Sequence, residues 1–355
     1  MEKKEIVIVA EHFTAGGAER VLSELVTEWS KEGHKVTAVL IRADKYPESY
    51  DLPSSMKIIV LKSSNNRFIR RIQNAVDLVK ILKKCPNAII ISFVEPAMLV
   101  VALASPFIKN KIIFSERCDP QNNPPQRKMR VVRNLIFNIP EKCVFQTEDA
   151  KSYFSERIQK KGVIIPNPVN PDLPDPYKGE RKKEIAYVGR FVPQKNIPML
   201  LEAFKKLSRE YPEYILRMFG RGFEDNDVMA WIKRNRLEGK IVLEGFQNNV
   251  TDLIKECALY VSSSDYEGIS NSMLEALAMG IPTVVTDCPV GGAKQTIENC
   301  KNGLLVPVGD VEALYKAMKQ VIENKELAQQ LSRESIKIRE QYPVEKIANM
   351  WLELM

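Results

Sequence analysis

The chain has 355 residues, of which 45% are apolar and 27% charged, with a formal net charge of +7. This composition is that of a soluble globular protein, and the length exceeds what one ordinary core needs, so two domains are expected. No run approaches the roughly 18 apolar residues of a membrane span, and residues 1–5 lead directly into a strand pattern instead of a signal peptide. We therefore expect a cytoplasmic protein.

The cysteines, the histidines and the distribution of charge limit which kinds of site and partner are expected. The six cysteines include no Cys-x-x-Cys pair, which favours core thiols over disulfides or zinc ligands. Only His12 and His34 exist, so a histidine metal site or a Ser-His-Asp triad has little support. Residues 1–175 hold 27 Lys and Arg against 20 Asp and Glu, so the basic excess lies wholly in the first half. An anionic partner is expected: a membrane surface, a phosphate-bearing substrate or nucleic acid.

The first half alternates strand and helix patterns. Residues 6–10 predict a buried parallel strand, and an amphipathic helix over residues 18–31 follows, with Gly33 as its C-terminal signal. Further strands are predicted at residues 35–41, 56–61, 88–92, 111–115 and 142–146. This alternation predicts a doubly wound α/β domain over residues 1–165.

A turn with paired glycines, Gly16 and Gly17, joins the first strand to the first helix. Such a pair allows positive φ and lets backbone N–H groups approach a ligand without a Cβ in the way. A tight turn without a binding role is the alternative.

A helix predicted over residues 67–84 combines an apolar stripe with a cationic face. The stripe contains Phe68, Ile69, Ile72, Ala75, Val76, Val79 and Leu82, and the face contains Arg67, Arg70, Arg71, Lys80 and Lys84. One interpretation is an ordinary solvated helix. The other is a face for anionic lipid headgroups or for the phosphates of a lipid-linked substrate. The face could be extended by Lys109, Lys111, Arg127, Lys128, Arg130 and Arg133.

Five prolines between Pro166 and Pro176 predict a linker over residues 166–180. Strand and helix patterns then resume, with strands at residues 184–189, 214–219, 240–243, 258–262, 282–286 and 303–306. A second Rossmann-like domain is predicted over residues 181–340. Two such domains facing a cleft would place ligands at the carboxyl ends of both sheets.

Two cations follow the first strand of the second half. Arg190 comes directly after Gly189, and Lys195 follows five residues later, with a proline between them and a helix after them. This arrangement can direct two positive groups at one diphosphate. A surface charge pair is the alternative.

An Asp-x-Asp sequence occurs at residues 225–227 and formally matches a known metal-binding motif. Its place at the start of a predicted helix, residues 227–236, favours helix N-capping instead.

Residues 265–280 are the most informative stretch. Glu267 precedes Gly268 in a predicted loop, and Glu275 lies inside a helix that starts near Ser270 or Asn271. The two carboxylates therefore straddle a helix N-terminus, whose backbone N–H groups can hold a phosphate while each acid binds a hydroxyl-rich neighbour. A nucleotide sugar has this layout. A structural pair is the alternative, because such spacings also arise by chance.

Apolar strand patterns at residues 259–264 and 281–287 flank this stretch. In that setting the sequence resembles the retaining GT-B glycosyltransferases, in particular family 4, whose signature is two glutamates with seven residues between them. The Gly16-Gly17 turn and the Arg190 and Lys195 pair match further parts of the family pattern. The resemblance implies two Rossmann-like domains facing a cleft, with a last helix, residues 341–355, that crosses back to the first domain.

The resemblance also implies residue roles. Arg190, Lys195 and the helix terminus would neutralise the leaving diphosphate, Glu267 would hold the sugar, and Glu275 would take the ribose. Because side chains and backbone neutralise the leaving group, no metal cofactor is expected. The remaining donor-binding residues are expected to be Gly16, Gly17, Gly245, Phe246, Gly268, Ile269, Ser270 and Asn271.

One departure from the family pattern concerns the acceptor side. Many members place a histidine at the cleft end of a central strand of the first domain, whereas Glu116 and Arg117 stand at about that place here. Glu95, at the end of another strand, is a further acidic candidate facing the acceptor.

We therefore predict a retaining glycosyltransferase that uses a nucleoside diphosphate sugar, UDP-hexose or UDP-N-acetylhexosamine by family frequency. The acceptor is expected to be a hydroxyl of a glycan, polyprenyl-diphosphate-linked, in bacterial surface polysaccharide or glycoconjugate synthesis at the inner face of the membrane. The alternatives are a UDP-N-acetylhexosamine epimerase and a noncatalytic GT-B partner of another transferase. No nucleic-acid partner is expected, because the sequence contains no recognisable DNA or RNA module.

Overall fold

The structure is a computed structural model that describes residues 2–13, 16–42, 52–61, 66–93, 95–223 and 227–355. The chain divides into two compact units. The first holds Met1–Pro168 and Pro343–Met355, and the second holds Val169–Tyr342. None of the described helices is long and apolar enough to cross a membrane.

The first unit is built on a seven-stranded parallel sheet. Its strands are β1 Glu5–Ala10, β2 Lys35–Leu40, β3 Lys57–Val60, β4 Ile89–Ser92, β5 Ile112–Ser115, β6 Lys142–Phe145 and β7 Gly162–Ile164. They lie in the order β3-β2-β1-β4-β5-β6-β7. The central strands are continuous apolar runs buried on both faces, as a parallel sheet covered by helices requires. The edge strand β7 was not predicted, because three residues are too few to show a period.

The helices of the first unit before the linker are α1 Gly17–Lys31, α2 Arg67–Leu82, α3 Glu95–Ala104, α4 Arg127–Ile136, α5 Glu148–Ser152 and α6 Glu156–Gln159. Gly33 adopts φ +83° after α1, as its predicted C-terminal signal requires. Gly16, the N-cap of α1, has φ −127°, and neither Gly16 nor Gly17 adopts the positive φ that a glycine pair allows.

Helix α2 corrects the predicted apolar stripe. Its buried face is formed by residues at helical spacing, namely Asn74, Ala75, Leu78 and Leu82. Phe68, by contrast, is 71% exposed, and Ile69, Ile72 and Val76 are also exposed. Only part of the stripe therefore packs on the domain. The Arg67 side chain lies outside the described part of the chain, and Arg70 and Arg71 are partly buried.

The second unit is built on a six-stranded parallel sheet. Its strands are β8 Lys182–Val188, β9 Ile215–Phe219, β10 Ile241–Gly245, β11 Cys257–Ser262, β12 Thr283–Thr286 and β13 Leu304–Val306, in the order β10-β9-β8-β11-β12-β13. Its helices are α7 Ile197–Glu210, α8 Val228–Arg234, α9 Val250–Ile254, α10 Asn271–Ala278, α11 Gly292–Thr296, α12 Val311–Glu323, α13 Lys325–Ser335 and α14 Ile338–Gln341. Ile185 and Ala186 are neighbours in β8 but belong to two different hydrophobic clusters. This follows because successive side chains of a strand point to opposite faces of the sheet.

Helix starts in this unit follow the local sequence. The side chains of Asn196, Asp310 and Asn324 accept backbone N–H bonds at the starts of α7, α12 and α13. Asp227 occupies the predicted N-cap position of α8, but its side chain makes no capping hydrogen bond. Asp225 and Asn226 lie outside the described residues.

The last helix, α15 Val344–Glu353, belongs to the first unit. Its buried residues include Trp351, which stacks on Phe93 at a centroid distance of 5.2 Å. Trp29 of α1 donates to the Ala348 carbonyl at 3.2 Å. The predicted return of the last helix to the first domain is confirmed.

Candidate active site

The order of the second sheet brings together two motifs that are far apart in sequence. Strand order reverses between the neighbours β8 and β11, and ligands of open α/β sheets bind outside the carboxyl ends of the strands at such a point. Arg190 follows β8, and Glu267 follows β11. The cationic motif and the first glutamate therefore meet at one edge of the sheet.

An ion pair between Lys195 and Glu267 forms the centre of this site. Lys195 Nζ contacts Glu267 Oε1, Gln194 Nε2 donates to Glu267 Oε2 at 3.1 Å, and Ser264 Oγ donates to Oε1 at 3.0 Å. The Lys195 and Glu267 side chains are 14% and 16% exposed. The carboxylate thus accepts three hydrogen bonds in a largely desolvated place.

The two loops that carry this pair are joined by further hydrogen bonds. Asn196 Nδ2 donates to Asp265 Oδ1 at 2.7 Å, the Asp265 N–H donates to the Gln194 carbonyl at 2.9 Å, and Ser263 Oγ donates to the Lys195 carbonyl at 2.9 Å. Asn196 adopts φ +43°, a conformation that asparagine tolerates better than most residues. These bonds fix the backbone from which Lys195 and Glu267 project.

Arg190 differs from Lys195 because its side chain is exposed. Within the described part of the chain its guanidinium makes no hydrogen bond or ion pair. The backbone before it is closely packed: a Cβ at Gly220 would meet the Gly189 carbonyl oxygen at 1.9 Å, and Gly220 has φ +144°. A glycine at position 220 therefore lets the ends of β8 and β9 lie side by side.

Helix α10 starts at Asn271, as predicted, with Ser270 as an extended N-cap whose side chain makes no capping bond. Ser270 Oγ instead lies 3.1 Å from Ser272 Oγ, which lies 2.9 Å from the Tyr260 hydroxyl. A small pocket opens here, lined by residues that include Ser264, Glu267, Gly268, Ser270, Thr286 and Cys288. Burial raises the pKa of Cys288 to about 12, and the Glu267 charge adds to this, so the thiol is neutral at pH 7 and is not a thiolate nucleophile.

Glu275 lies in the second turn of α10 and is buried. Its charge, together with that of Glu267, adds to the burial that raises the pKa of Tyr260. Tyr260 therefore stays protonated, and its hydroxyl forms a hydrogen bond with the Ser272 hydroxyl.

The carboxyl ends of β9 and β10 carry an exposed aromatic surface. Gly245 has φ +70° at the end of β10, and Phe246 follows it with 43% exposure. The Arg221 guanidinium carbon lies 4.3 Å from the Phe246 ring centroid. This cation–π pair offers a flat face on which a planar base can stack. The sequence analysis gave Arg221 no role.

The remaining predicted residues lie in the first unit. Gly16 and Gly17 begin α1 after β1, and Glu95 begins α3. Arg117 follows β5 and is partly buried. The structure therefore brings Lys195, Glu267 and the start of α10 together within the second unit, and places these other predicted residues in the first.

Glu116 has a structural role that the sequence did not indicate. Arg133 Nη1 donates to Glu116 Oε2 at 2.9 Å, and the backbone N–H groups of Arg117 and Cys118 donate to Oε1. Arg133 is only 2% exposed, so its assignment to an exposed basic surface is wrong. Burial raises the pKa of Glu116, and the charge of Arg133 opposes that shift.

Three residues around the donor-side pair were also missed, namely Gln194, Ser264 and Asp265. Gln194 and Asp265 stand in predicted loops and Ser264 ends a predicted strand pattern, but nothing in the sequence distinguishes them from the other polar residues around them. Among the described residues, no group of three or more His, Cys, Asp or Glu side chains could hold a metal ion.

Comparison with known proteins identifies the family. The family model described as Glycosyl transferases group 1 matches residues 172–338, and the one described as Glycosyltransferase Family 4 matches residues 15–173. The chain belongs to the GT-B glycosyltransferases of the group 1, family 4 type. It is therefore a transferase enzyme, and the predicted fold class is confirmed.

Full-length relatives agree with this assignment. An uncharacterized glycosyltransferase of Haemophilus influenzae is 27% identical over 345 residues, covering 95% of this chain and 96% of the relative. The N-acetylgalactosamine-N,N'-diacetylbacillosaminyl-diphospho-undecaprenol 4-alpha-N-acetylgalactosaminyltransferase of Campylobacter jejuni is 26% identical, covering 88% of each chain. The crystal structure of HepE from Anabaena, in complex with UDP and glucose, has a TM-score of 0.84 at 17% identity and covers 99% of this chain and 98% of that one.

Proposed function

We propose that this glycosyltransferase is a retaining enzyme that moves a sugar from a UDP-sugar to a hydroxyl of a lipid-linked glycan in bacterial surface polysaccharide or glycoconjugate synthesis. The observation that carries the proposal is the Lys195–Glu267 ion pair at the switch point of the second sheet, beside the exposed Arg190 and the start of α10. These groups supply both the cations and the carboxylate that such a transfer needs.

Departure of the diphosphate is the step that the cations serve. When the bond from the anomeric carbon to the diphosphate breaks, the electron pair stays on the phosphate oxygen, where negative charge develops. Arg190, Lys195 and the N-terminal end of α10 would stabilise that charge from fixed positions. Glu267 holds Lys195 in place beforehand, so little reorganisation is needed.

The two glutamates would act at different ends of the donor. Glu267 lies in the loop before α10 and would face the sugar, where a carboxylate stabilises the positive charge that builds on the ring. Glu275, buried one turn further along α10, would accept hydrogen bonds from the ribose hydroxyls. Phe246 and Arg221 would provide the stacking surface for the base.

The acceptor hydroxyl would attack the face of the sugar that the diphosphate leaves. Its proton would pass to an oxygen of the departing phosphate, which gains basicity as the bond breaks, so that configuration is retained and the diphosphate leaves protonated. No step requires a metal ion, and metal independence is part of the proposal.

UDP is supported as the nucleotide by HepE, whose crystal structure contains UDP and glucose. A lipid-linked acceptor is supported by the Campylobacter relative, whose name specifies a diphospho-undecaprenol substrate. Both likenesses extend over most of this chain.

A lipid-linked acceptor implies work at a membrane surface, and α2 supports such a location. Phe68, Ile69, Ile72 and Val76 form an exposed apolar strip, and the basic excess of the chain lies in the same half of the sequence. We propose that this strip docks on an anionic bilayer and that the enzyme is a peripheral protein of the inner membrane face.

A donor-hydrolysis screen tests the proposed function. Purified enzyme is incubated with UDP-glucose, UDP-galactose, their N-acetylamino forms and GDP-mannose, and release of the nucleoside diphosphate is measured. At least one UDP-sugar should be hydrolysed, and Arg190→Ala should lower its turnover by about 30- to 1,000-fold. Arg209→Ala, which removes an exposed arginine from α7, is the matched control and should keep full activity. Equal loss in both variants, or no hydrolysis of any sugar, contradicts the proposal.

A further inference from the structure

Arg117 carries a charge that no carboxylate of the described residues pairs with. It lies two residues after β5, at the edge of the first sheet where ligands of open α/β sheets bind. Its Nη1 donates to Ser115 Oγ at 3.3 Å and its Nη2 donates to Asn167 Oδ1. The buried Nε has no hydrogen-bond partner. The guanidinium is therefore only partly satisfied.

Three other sheltered arginines of this chain pair with carboxylates. Arg133 pairs with Glu116, as described above, and Arg42 pairs with Glu11 at 2.9 Å. Arg217 contacts two carboxylates, Glu184 at 3.1 Å and Glu244 at 2.8 Å. Arg181, which has no carboxylate, donates to three backbone carbonyls and a serine hydroxyl.

Neutral groups hold the Arg117 guanidinium in place. Asn167 is buried and also accepts from Gln146 Nε2 at 2.7 Å. The Phe93 ring lies 4.9 Å from the guanidinium carbon and is backed by Trp351. Burial lowers the pKa of Arg117 to about 9, with Glu116 opposing the shift, so the group is charged at neutral pH. Its position is fixed, but its charge is not cancelled.

A fixed guanidinium with N–H groups to spare matches an oxyanion better than any neutral ligand. Its planar fork can donate two parallel hydrogen bonds to a phosphate or a carboxylate. Binding such a group would also supply the counterion that no described residue provides for this sheltered charge.

We propose that Arg117, held by Asn167, forms a subsite of the first unit for an oxyanion carried by a substrate of the reaction. The inference rests on the proposed function and deepens it, because it assigns a charged group to one substrate. Two sources share the chemistry: the lipid diphosphate of the acceptor and the carboxylate of an acidic sugar on the donor.

Paired substrates distinguish the two sources. The kcat/KM is measured for three proteins: the wild type, Arg117→Gln and Arg117→Lys. One pair of substrates consists of the donors UDP-glucose, which is neutral in its sugar, and UDP-glucuronic acid, which carries a carboxylate. The other pair consists of the acceptors polyprenyl-diphosphate-linked N-acetylglucosamine and its octyl glycoside, which lacks the diphosphate. Arg117→Gln should lower kcat/KM by about 10- to 100-fold for the anionic member of one pair and less than about twofold for its neutral partner. Arg117→Lys should recover part of the loss. Equal losses on charged and neutral substrates overturn the inference.

A binding measurement decides the inference independently of transfer. Wild type, Arg117→Gln and the control Arg157→Gln, which removes an exposed arginine from α6, are titrated with inorganic phosphate by calorimetry. Phosphate bound near Arg190 is common to all three proteins. Arg117→Gln alone should bind one phosphate fewer per chain, with its circular dichroism spectrum unchanged. Identical titrations of the three proteins overturn the inference. If the wild type transfers no sugar, the proposed function fails and this titration alone decides.

Discussion

The Lys195–Glu267 pair gives the sharpest test of the proposed site. In a double-mutant cycle, Glu267→Gln and Lys195→Met are made singly and together, and the free energy of unfolding of each protein is measured. The cycle isolates the interaction between the two side chains from their other contacts. It asks whether the site is held together by this pair before a substrate binds.

The degree of burial sets the expected magnitude. Removing one partner of a fully buried ion pair costs about 3–5 kcal/mol, whereas exposed pairs contribute about 0–1 kcal/mol. The two side chains are 14% and 16% exposed, and the carboxylate also accepts bonds from Gln194 and Ser264. We therefore expect a coupling energy of about 1–3 kcal/mol, between these limits.

A second cycle provides the matched control. Lys183 and Glu213 form a pair at 3.3 Å in the same unit, but their side chains are 61% and 44% exposed. Their coupling should be below about 0.5 kcal/mol. Saturating UDP should reduce the coupling of Lys195 with Glu267, because the diphosphate takes over the lysine, and should leave the control pair unchanged. If the two cycles give equal couplings, or if UDP binds without changing the first, the reasoning is refuted.

Three further predictions address the donor, the metal and the membrane. Glu267→Gln should chiefly lower kcat and Glu275→Ala should chiefly raise the donor KM, and equal small effects of both would contradict the assigned roles. Turnover should survive EDTA, and Arg190→Ala should raise the barrier by about 2–4 kcal/mol; activity restored only by added manganese or magnesium would exclude this mechanism. Phe68→Ser should weaken binding to anionic vesicles at least about tenfold, since burying a phenylalanine contributes about 1.5–3 kcal/mol. Val308→Ser, which changes an exposed apolar residue of the second unit, should leave binding unchanged. Equal binding of both variants would mean that α2 is an ordinary solvated helix.

The fold class was predictable because the strands of a parallel α/β fold can be recognised in the sequence. Each buried strand is a continuous apolar run, such as residues 6–10, and each run ends where polar residues can reach a ligand. Arg190 stands directly after such a run, Lys195 and Glu267 stand in the loops that follow two of them, and helix α10 begins at its predicted residue. Local sequence and strand position were sufficient for these predictions.

Exposure along α2 was not predictable in the same way. A helical period shows that apolar residues share a side of the helix, but not how much of that side another element covers. In the structure Ala75, Leu78 and Leu82 are covered, whereas Phe68, near the start of the helix, is 71% exposed. The same limit applied to Arg133, whose charge suggested a surface position until its partners were known.

The partners of charged groups are therefore where sequence reasoning is weakest, and they also determine what each group can do. Glu116 and Arg117 are adjacent in sequence and stood as one acceptor-side pair, yet the structure gives them opposite environments. Glu116 is neutralised by Arg133, sixteen residues after Arg117, and holds a loop. Arg117 is fixed by Asn167, fifty residues away, which contributes no charge. Within the described part of the chain Glu116 has a cationic partner and Arg117 has no carboxylate partner, so of the two only Arg117 has an unbalanced charge to offer a substrate.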